Sequence, residues 1–342
     1  MPDILFATYR NIYSMADQIF VTRRLPGSAL NRLKRRYDVD VWETETPPST
    51  DDIIERARNC RGIITLLSDT IDRKLIESLP DLRVIAQYAV GFDNIDVKAA
   101  TEMGIIVTNT PGVLTETTAD LTWALVMATA RRIVEADNYV REGRWKVAWG
   151  PEMLLGVDVF NKTIGIIGMG RIGYAVAQRA AGFNMRIVFS SRSQTETTEN
   201  AIRILNAEKV SLETLLKESD FITIHVPLTN KTQKLISQSE IELMKKDAIV
   251  INTSRGAVID ENALYTALRT GVIRGAGLDV FQQEPTPDTN PLLELDNVVT
   301  LPHIGSASID TRAKMADMCV ENIMQALTGN RPPNVVNTEV FS

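Results

Sequence analysis

Ile164-Gly165-Ile166-Ile167-Gly168-Met169-Gly170-Arg171-Ile172-Gly173 is the stretch that decides the fold of this chain. An apolar, strand-like run enters three glycines spaced G-x-G-x-x-G, and a helical pattern opens near Arg171. Gly168 allows a tight turn, Gly170 lets backbone come close to a pyrophosphate, and Gly173 lets the helix pack on the strand. Unpaired N–H groups at the helix start then face the negative charge. Glycine-rich turns also serve packing alone, so the context matters. Here a second apolar strand, Ile187-Val188-Phe189-Ser190, follows about twenty residues on, as a dinucleotide-binding βαβ unit requires. Met169, Arg171 and Ile172 join the glycines as cofactor-binding candidates.

The end of that second strand reads Ser191-Arg192-Ser193, with no acid before Glu196. Sites that prefer NAD place Asp or Glu there for the ribose 2′-hydroxyl, whereas an arginine accommodates a 2′-phosphate through its planar fork of donors. Arg192 therefore favours NADPH over NADH, with NAD as the second choice. The plain alternative is a solvated loop arginine.

A chain of 342 residues has room for two cores, and 44% hydrophobic with 23% charged residues is ordinary for a globular protein. The net charge of −6 argues against broad contact with nucleic acid or anionic membrane. The basic run Arg32-Leu33-Lys34-Arg35-Arg36 fits the exposed face of a helix. Cys60 and Cys319 are the two cysteines, without a C-x-x-C pair, which implies neither a disulfide framework nor a metal site and suggests a reducing, cytoplasmic setting. The start, Met1 to Phe6, reads as a strand and not as a signal peptide, and the apolar stretch from Leu121 to Ile133 is too short and polar to span a bilayer.

Strand-like runs at Ile4–Thr8, Val39–Trp42, Gly62–Leu67, Val84–Tyr88 and Ile105–Thr108 alternate with helical stretches such as Asp51–Arg58 and Asp72–Leu79. Pro47-Pro48-Ser49-Thr50 reads as a plain loop. A long helix is expected from Thr117 to about Glu142, with Leu121, Leu125, Ala128 and Ile133 on one side. A second alternating block follows, with later strands at Phe221–Val226, Ala248–Asn252, Ala276–Val280 and Val298–Leu301, and a final helix at Asp310–Leu327. Such alternation implies parallel sheets covered on both faces, in two α/β domains with a cleft between them.

Ligands of open α/β sheets bind beyond the carboxyl ends of the strands. The residues there are Gly168, Ser191, His225, Thr253-Ser254-Arg255, Asp279 and His303. Both histidines of the chain fall at such ends, and histidine suits proton transfer near neutral pH. An isolated histidine is more often a satisfied structural side chain. His303 is lifted by Glu284, on the loop after the preceding strand, since a carboxylate favours the charged imidazole and holds one tautomer. Arg255 can bind a carboxylate with two hydrogen bonds and polarise the neighbouring carbonyl. Its plain alternative is a salt bridge to Asp260 or Glu261.

Gly275-Ala276-Gly277-Leu278-Asp279-Val280-Phe281-Gln282-Gln283-Glu284-Pro285, followed by Pro302-His303-Ile304-Gly305, resembles the D-isomer-specific 2-hydroxyacid dehydrogenases. So do Asn252-Thr253-Ser254-Arg255-Gly256 and Val90-Gly91-Phe92-Asp93-Asn94-Ile95-Asp96, in the family's order over nearly the whole chain. Among members, Leu66-Leu67-Ser68-Asp69, Thr110-Pro111-Gly112-Val113-Leu114-Thr115 and Ser191-Arg192-Ser193 look most like the glyoxylate/hydroxypyruvate reductases. The resemblance implies a flavodoxin-like substrate domain, residues 1–114 with 306–342, and a Rossmann cofactor domain, residues 115–305. It also implies roles. His303 would be the general acid, kept charged by Glu284, and Arg255 would hold the 2-oxo acid. Leu67 and the backbone N–H groups of Val90 and Gly91 would meet the substrate from the other domain. Thr117 would lie near the nicotinamide phosphate and Asp279 near the carboxamide. Val226, Pro227, Thr253 and Gly305 would complete the cofactor site, with His225 a neighbour lacking any proton-transfer role.

Phosphoglycerate dehydrogenases, which this chain also resembles, tend to put a basic residue just before the Val-Gly loop. The stretch here is Ala86-Gln87-Tyr88-Ala89, which favours a small uncharged tail, hence glyoxylate or hydroxypyruvate reduced to glycolate or D-glycerate. In related reductases a tryptophan before the cofactor domain reaches the partner subunit's pocket, a role carried to Trp149 with core packing as its alternative. Members are usually homodimers, and the Thr117–Glu142 helix is the natural contact. A D-lactate- or phosphoglycerate-type enzyme using NAD is the first alternative. A nicotinamide-sensing co-repressor on the same fold is the second, since fold does not fix function.

Overall fold

Short apolar runs separated by helices give two parallel sheets in this chain. The computed structural model describes residues 17–342, so the strand expected at Ile4–Thr8 lies outside the described residues. The chain divides into two compact units, Met1–Pro111 with Arg312–Ser342, and Gly112–Thr311.

The first unit is built on β1 (Gln18–Val21), β2 (Asp38–Val41), β3 (Cys60–Thr65), β4 (Val84–Gln87) and β5 (Ile106–Thr108). They pair in parallel in the order β2-β1-β3-β4-β5, the flavodoxin-like arrangement. The sequence reading did not select β1. Its buried run Ile19-Phe20-Val21 is three residues long, too short for any periodicity to mark it. Phe20, Ile63, Ile85 and Val107 form a core with Ile53 and Leu75 from the helices Thr50–Ala57 and Arg73–Glu77. The supposedly plain loop at Pro47–Thr50 ends in a helix cap. Ser49 Oγ accepts from Asp52 N at 3.1 Å, and Asp52 Oδ2 accepts from Ser49 N at 2.9 Å. At the β5 edge, Val335 bridges Thr108 in antiparallel fashion. Asn337 accepts from Val107 N at 2.7 Å and donates to Ile105 O at 2.8 Å, so the edge is covered.

The second unit carries β6 (Thr163–Ile167), β7 (Arg186–Ser190), β8 (Glu208–Lys209), β9 (Phe221–Ile224), β10 (Ile249–Asn252), β11 (Gly275–Leu278) and β12 (Val298–Thr300). Their order is β12-β11-β10-β9-β6-β7-β8, all parallel, so the winding reverses between β6 and β9. This is the Rossmann order, and the reversal is where such folds bind ligands. Successive residues alternate between faces that are both apolar. Ile249 and Ile251 join a core with Trp123, Val126, Val176 and Phe189, while Val250 joins Leu215, Ile222 and Leu264 on the other face.

The single helix expected from Thr117 to Glu142 is two helices, Thr115–Ala130 and Ile133–Arg141. Arg132 breaks it in the left-handed region at φ 52°, held there by two bonds to Glu135 at 2.6 and 2.7 Å. Ile133, expected on one side of a single helix with Leu121, Leu125 and Ala128, falls after the break and is 50% exposed. The helix Ile309–Leu327 begins in the second unit and continues into the first, where Ile323 packs on Gly62 of β3. The Arg32 cluster is solvated apart from Leu33, and Cys60 and Cys319 are buried and free. Among the described residues no helix is long and apolar enough to cross a membrane.

Candidate active site

The glycine loop between β6 and the helix Arg171–Gly182 has the geometry a pyrophosphate needs. Gly168 sits at φ 98°, and a Cβ there would come within 2.8 Å of His225 O. A Cβ on Gly173 would collide with the Gly168 carbonyl, so strand and helix meet only through glycine. Gly170 opens the helix in extended backbone, faces open space and brings no side-chain cap. The helix start is left to an anion. Ile172 is half-buried and Arg171 exposed, whereas the Met169 side chain lies in the core and leaves only its backbone for a ligand. The residues present fit a dinucleotide.

At the end of β7, Ser191 Oγ reaches Ser193 O at 3.4 Å, and Arg192 stands exposed beside them. At the end of β9, Val226 packs against Gly168 and Pro227 O accepts from Thr232 Oγ1 at 2.6 Å. Both ring nitrogens of His225 are buried without a hydrogen-bond partner, and burial pulls its pKa down to about 3.

Beyond β10, the buried Asn252 organises the loop. Its Oδ1 accepts from Ser254 N at 3.0 Å and from Ser254 Oγ at 2.9 Å, and its Nδ2 donates to Arg255 O at 2.9 Å. Arg255 Nη1 donates to Ser254 O at 2.8 Å. The acids offered as alternative partners are engaged elsewhere: Asp260 pairs with Lys234 at 2.9 Å, and Glu261 accepts from Gln282 N and from Asn290.

His303 Nδ1 lies 2.6 Å from Glu284 Oε2, while Glu284 Oε1 accepts from Phe281 N at 3.0 Å. Burial would push the Glu284 carboxyl up, but the bond and charge of His303, the Phe281 N–H and the charge of Arg255 together hold it below the ordinary carboxylate range. Arg255, Glu284 and His303 thus share one electrostatic neighbourhood. The turn carrying His303 is unusual, with His303 itself at φ 54°. Asp279 grips it on three sides. Its backbone O accepts from His303 N at 2.8 Å, and its two carboxylate oxygens accept from Ile304 N at 2.7 Å and Gly305 N at 2.8 Å. Burial raises the Asp279 pKa against the pull of these N–H groups and of His303.

Residues 123–305 match the family described as D-isomer specific 2-hydroxyacid dehydrogenase, NAD binding domain. A glyoxylate reductase of Korarchaeum cryptofilum is 55% identical over 326 residues, 95% of this chain and 97% of that protein. The chain belongs to the D-isomer-specific 2-hydroxyacid dehydrogenases. A glyoxylate reductase of Thermococcus litoralis is 49% identical over 96% of this chain and 99% of its own length. Among solved structures, a protein of Thermus thermophilus superposes with a TM-score of 0.87 at 47% identity, covering 93% of this chain and 99% of that one. An NADPH-dependent glyoxylate/hydroxypyruvate reductase of Sinorhizobium meliloti, in complex with NADP and malonate, gives 0.83 at 32% identity, covering 95% and 98%.

The remaining candidates of this dehydrogenase are placed as follows. Thr253 Oγ1 bonds Thr122 Oγ1 at 2.9 Å, and Thr117 Oγ1 bonds Thr311 Oγ1 at 2.6 Å, so neither hydroxyl is idle. Leu67, Val90 and Gly91 are half-buried on loops of the first unit. Gln87, within the stretch Ala86–Ala89 weighed against a phosphate-binding residue, is fully buried. Its amide bonds Thr65 Oγ1 at 2.6 Å and Asn94 Oδ1 at 2.8 Å. Trp149 is 77% exposed and Trp145 53%, which rules out core packing for Trp149. The sequence reading missed Asn252 as organiser of the Arg255 loop. It also missed the grip of Asp279 on the His303 turn, for which the only signal was its place at a strand end.

Proposed function

We propose that this dehydrogenase reduces glyoxylate and hydroxypyruvate to glycolate and D-glycerate with NADPH. The observation that carries the reading is the 2.6 Å contact between His303 Nδ1 and Glu284, with the charge of Arg255 beside it. The names of the relatives support the substrate class, and the Sinorhizobium name supports the cofactor. Arg192 at an acid-free strand end argues for a 2′-phosphate, and NADH is the weaker partner.

The backbone of Gly168, Met169, Gly170, Arg171 and Ile172 would hold the pyrophosphate, and Ser191, Arg192 and Ser193 the 2′-phosphate. Thr117, Val226, Pro227, Thr253, Asp279 and Gly305 would line the rest of the cofactor site. A nicotinamide held there would supply the hydride for the carbonyl carbon of the substrate. Arg255 binds the 2-oxo acid by its carboxylate and polarises the carbonyl. Within the first unit, the backbone N–H groups of Val90 and Gly91 would bind a 2-oxo acid carboxylate, with Leu67 packed on the substrate. His303 gives the proton at Nε2 to the developing alkoxide. Glu284 holds Nδ1, so the ring keeps one orientation and its charge is balanced where the proton leaves. Asp279 keeps the backbone turn rigid beneath this ring.

The reading includes a homodimer in a reducing, cytoplasmic setting. The contact element is the stretch from Thr117 to Glu142, and exposed Trp149 reaches the partner's pocket. Hydroxypyruvate turned over with NADPH tests it: the product should be D-glycerate, and Arg192→Ala should depress NADPH use about tenfold while sparing NADH. L-glycerate, or equal losses with both cofactors, would overturn the stereochemical or the 2′-phosphate part.

A further inference from the structure

Two hydrogen bonds fix the peptides of the Val90–Gly91 loop. Thr110 N donates to Ala89 O at 2.8 Å, and Asn109 Nδ2 donates to Val90 O at 2.8 Å. Ala89 O shares its peptide plane with the N–H of Val90, and Val90 O shares its plane with the N–H of Gly91. In a planar trans peptide the N–H points opposite to the carbonyl. The two N–H groups are therefore turned away from Asn109 and Thr110, and neither has a protein acceptor among the described residues. Two adjacent unspent donors with fixed planes are what an anion clamp needs.

Asn109 is itself held firmly. Its N–H donates to Asn334 O at 3.2 Å, and its carbonyl accepts from Asn322 Nδ2 at 3.1 Å. Asn322 is fully buried and accepts from Asn334 Nδ2 at 3.2 Å. From the other side Gln87 Nε2 donates to Gly91 O at 3.3 Å. That bond holds the next peptide, between Gly91 and Phe92, whereas the Asn109 amide holds the one that carries the Gly91 N–H.

We propose that Asn109 is a positioning residue for 2-oxo acid recognition, its amide holding the Val90–Gly91 peptide so that the Gly91 N–H meets the substrate carboxylate. The proposal rests on the reading that Val90 and Gly91 bind that carboxylate. Asn109 touches no substrate and acts through the peptide plane. Asn109→Asp keeps the size of the side chain but turns an acceptor toward Val90 O, which frees the plane or flips it.

The test is oxamate binding to the NADPH-loaded protein, with glyoxylate kinetics alongside. For Asn109→Asp the dissociation constant of oxamate and the KM of glyoxylate should both rise about tenfold, the loss of one charge-assisted bond. NADPH affinity and turnover at saturating glyoxylate should stay within about twofold. If the Asp variant does not fold, Asn109→Ala removes the donor without repulsion and should show the same split. Protein labelled with 15N at valine and glycine separates the two layers of the claim. If the wild-type Val90 and Gly91 amide resonances ignore oxamate, the clamp reading fails and the proposal with it. If they respond, yet Asn109→Asp and Asn109→Ala bind oxamate as tightly as wild type, the clamp stands and the role of Asn109 is overturned. A parallel collapse of cofactor affinity and turnover would make Asn109 merely structural.

Discussion

The two histidines of this chain end strands of one parallel sheet, and their surroundings could hardly differ more. His303, after β12, is part-exposed in a left-handed turn, bonded to Glu284 at 2.6 Å and carried on N–H groups that Asp279 accepts. His225, after β9, has both ring nitrogens buried and unpartnered, with a pKa lowered by burial to about 3. One ring is paired with a carboxylate, and the other is buried without a partner and kept neutral. Position at a strand end selects both, and only the carboxylate separates the proposed proton donor from the other ring.

The comparison breaks first at turnover. His303→Gln should lower kcat about 10²- to 10⁴-fold, the usual worth of a general acid, with dinucleotide affinity unchanged. His225→Leu should leave kcat within roughly an order of magnitude of wild type. Comparable losses in the two variants would end the distinction.

Asp279→Asn comes next. An amide can accept one of the two N–H bonds but turns its own NH₂ toward the other. Hydrogen bonds to a charged group are worth about 1.5–3 kcal/mol, so a loss of roughly 10- to 100-fold in kcat is expected as the His303 turn loosens. Unaltered kinetics would show that the turn holds without it.

Stability against pH sharpens the contrast. His225 resists protonation when folded, so between about pH 6.5 and about pH 3 the unfolded chain takes up a proton that the native state refuses. Wild-type stability therefore falls through that window, and His225→Leu should remove this part of the fall. Melting curves from pH 7 to pH 4 decide, and parallel wild-type and variant profiles would count against a neutral buried ring. Glu284 behaves in the opposite sense. Its folded pKa is depressed, so its contribution is present above about pH 4.3 and is lost as the pH drops through the folded value. The Tm advantage of wild type over Glu284→Gln should be open near pH 6 and close below about pH 4. A constant gap would mean that the ionic pair is not its source.

Much of this was legible in the sequence, for local reasons. The strands of the second unit and the glycine loop announce themselves through short apolar runs and glycine spacing. Glu284 and His303 could be paired because each follows one of two neighbouring strands, β11 and β12. The helix break at Arg132 was not legible, because neither glycine nor proline marks it and an ion pair to Glu135 stabilises the left-handed residue. Nor was the burial of Gln87, whose partners Thr65 and Asn94 are brought to it by the fold. The same holds for Asn109, which depends on Asn322 more than two hundred residues away. Hydrogen bonds between distant segments leave no periodic trace.

The most direct measurement is oxidation of NADPH by the purified protein with glyoxylate as the sole oxidant. The account predicts rapid, saturable oxidation with one glycolate formed for each NADPH consumed. Dinucleotide binding without oxidation, with glyoxylate and with hydroxypyruvate alike, would contradict it.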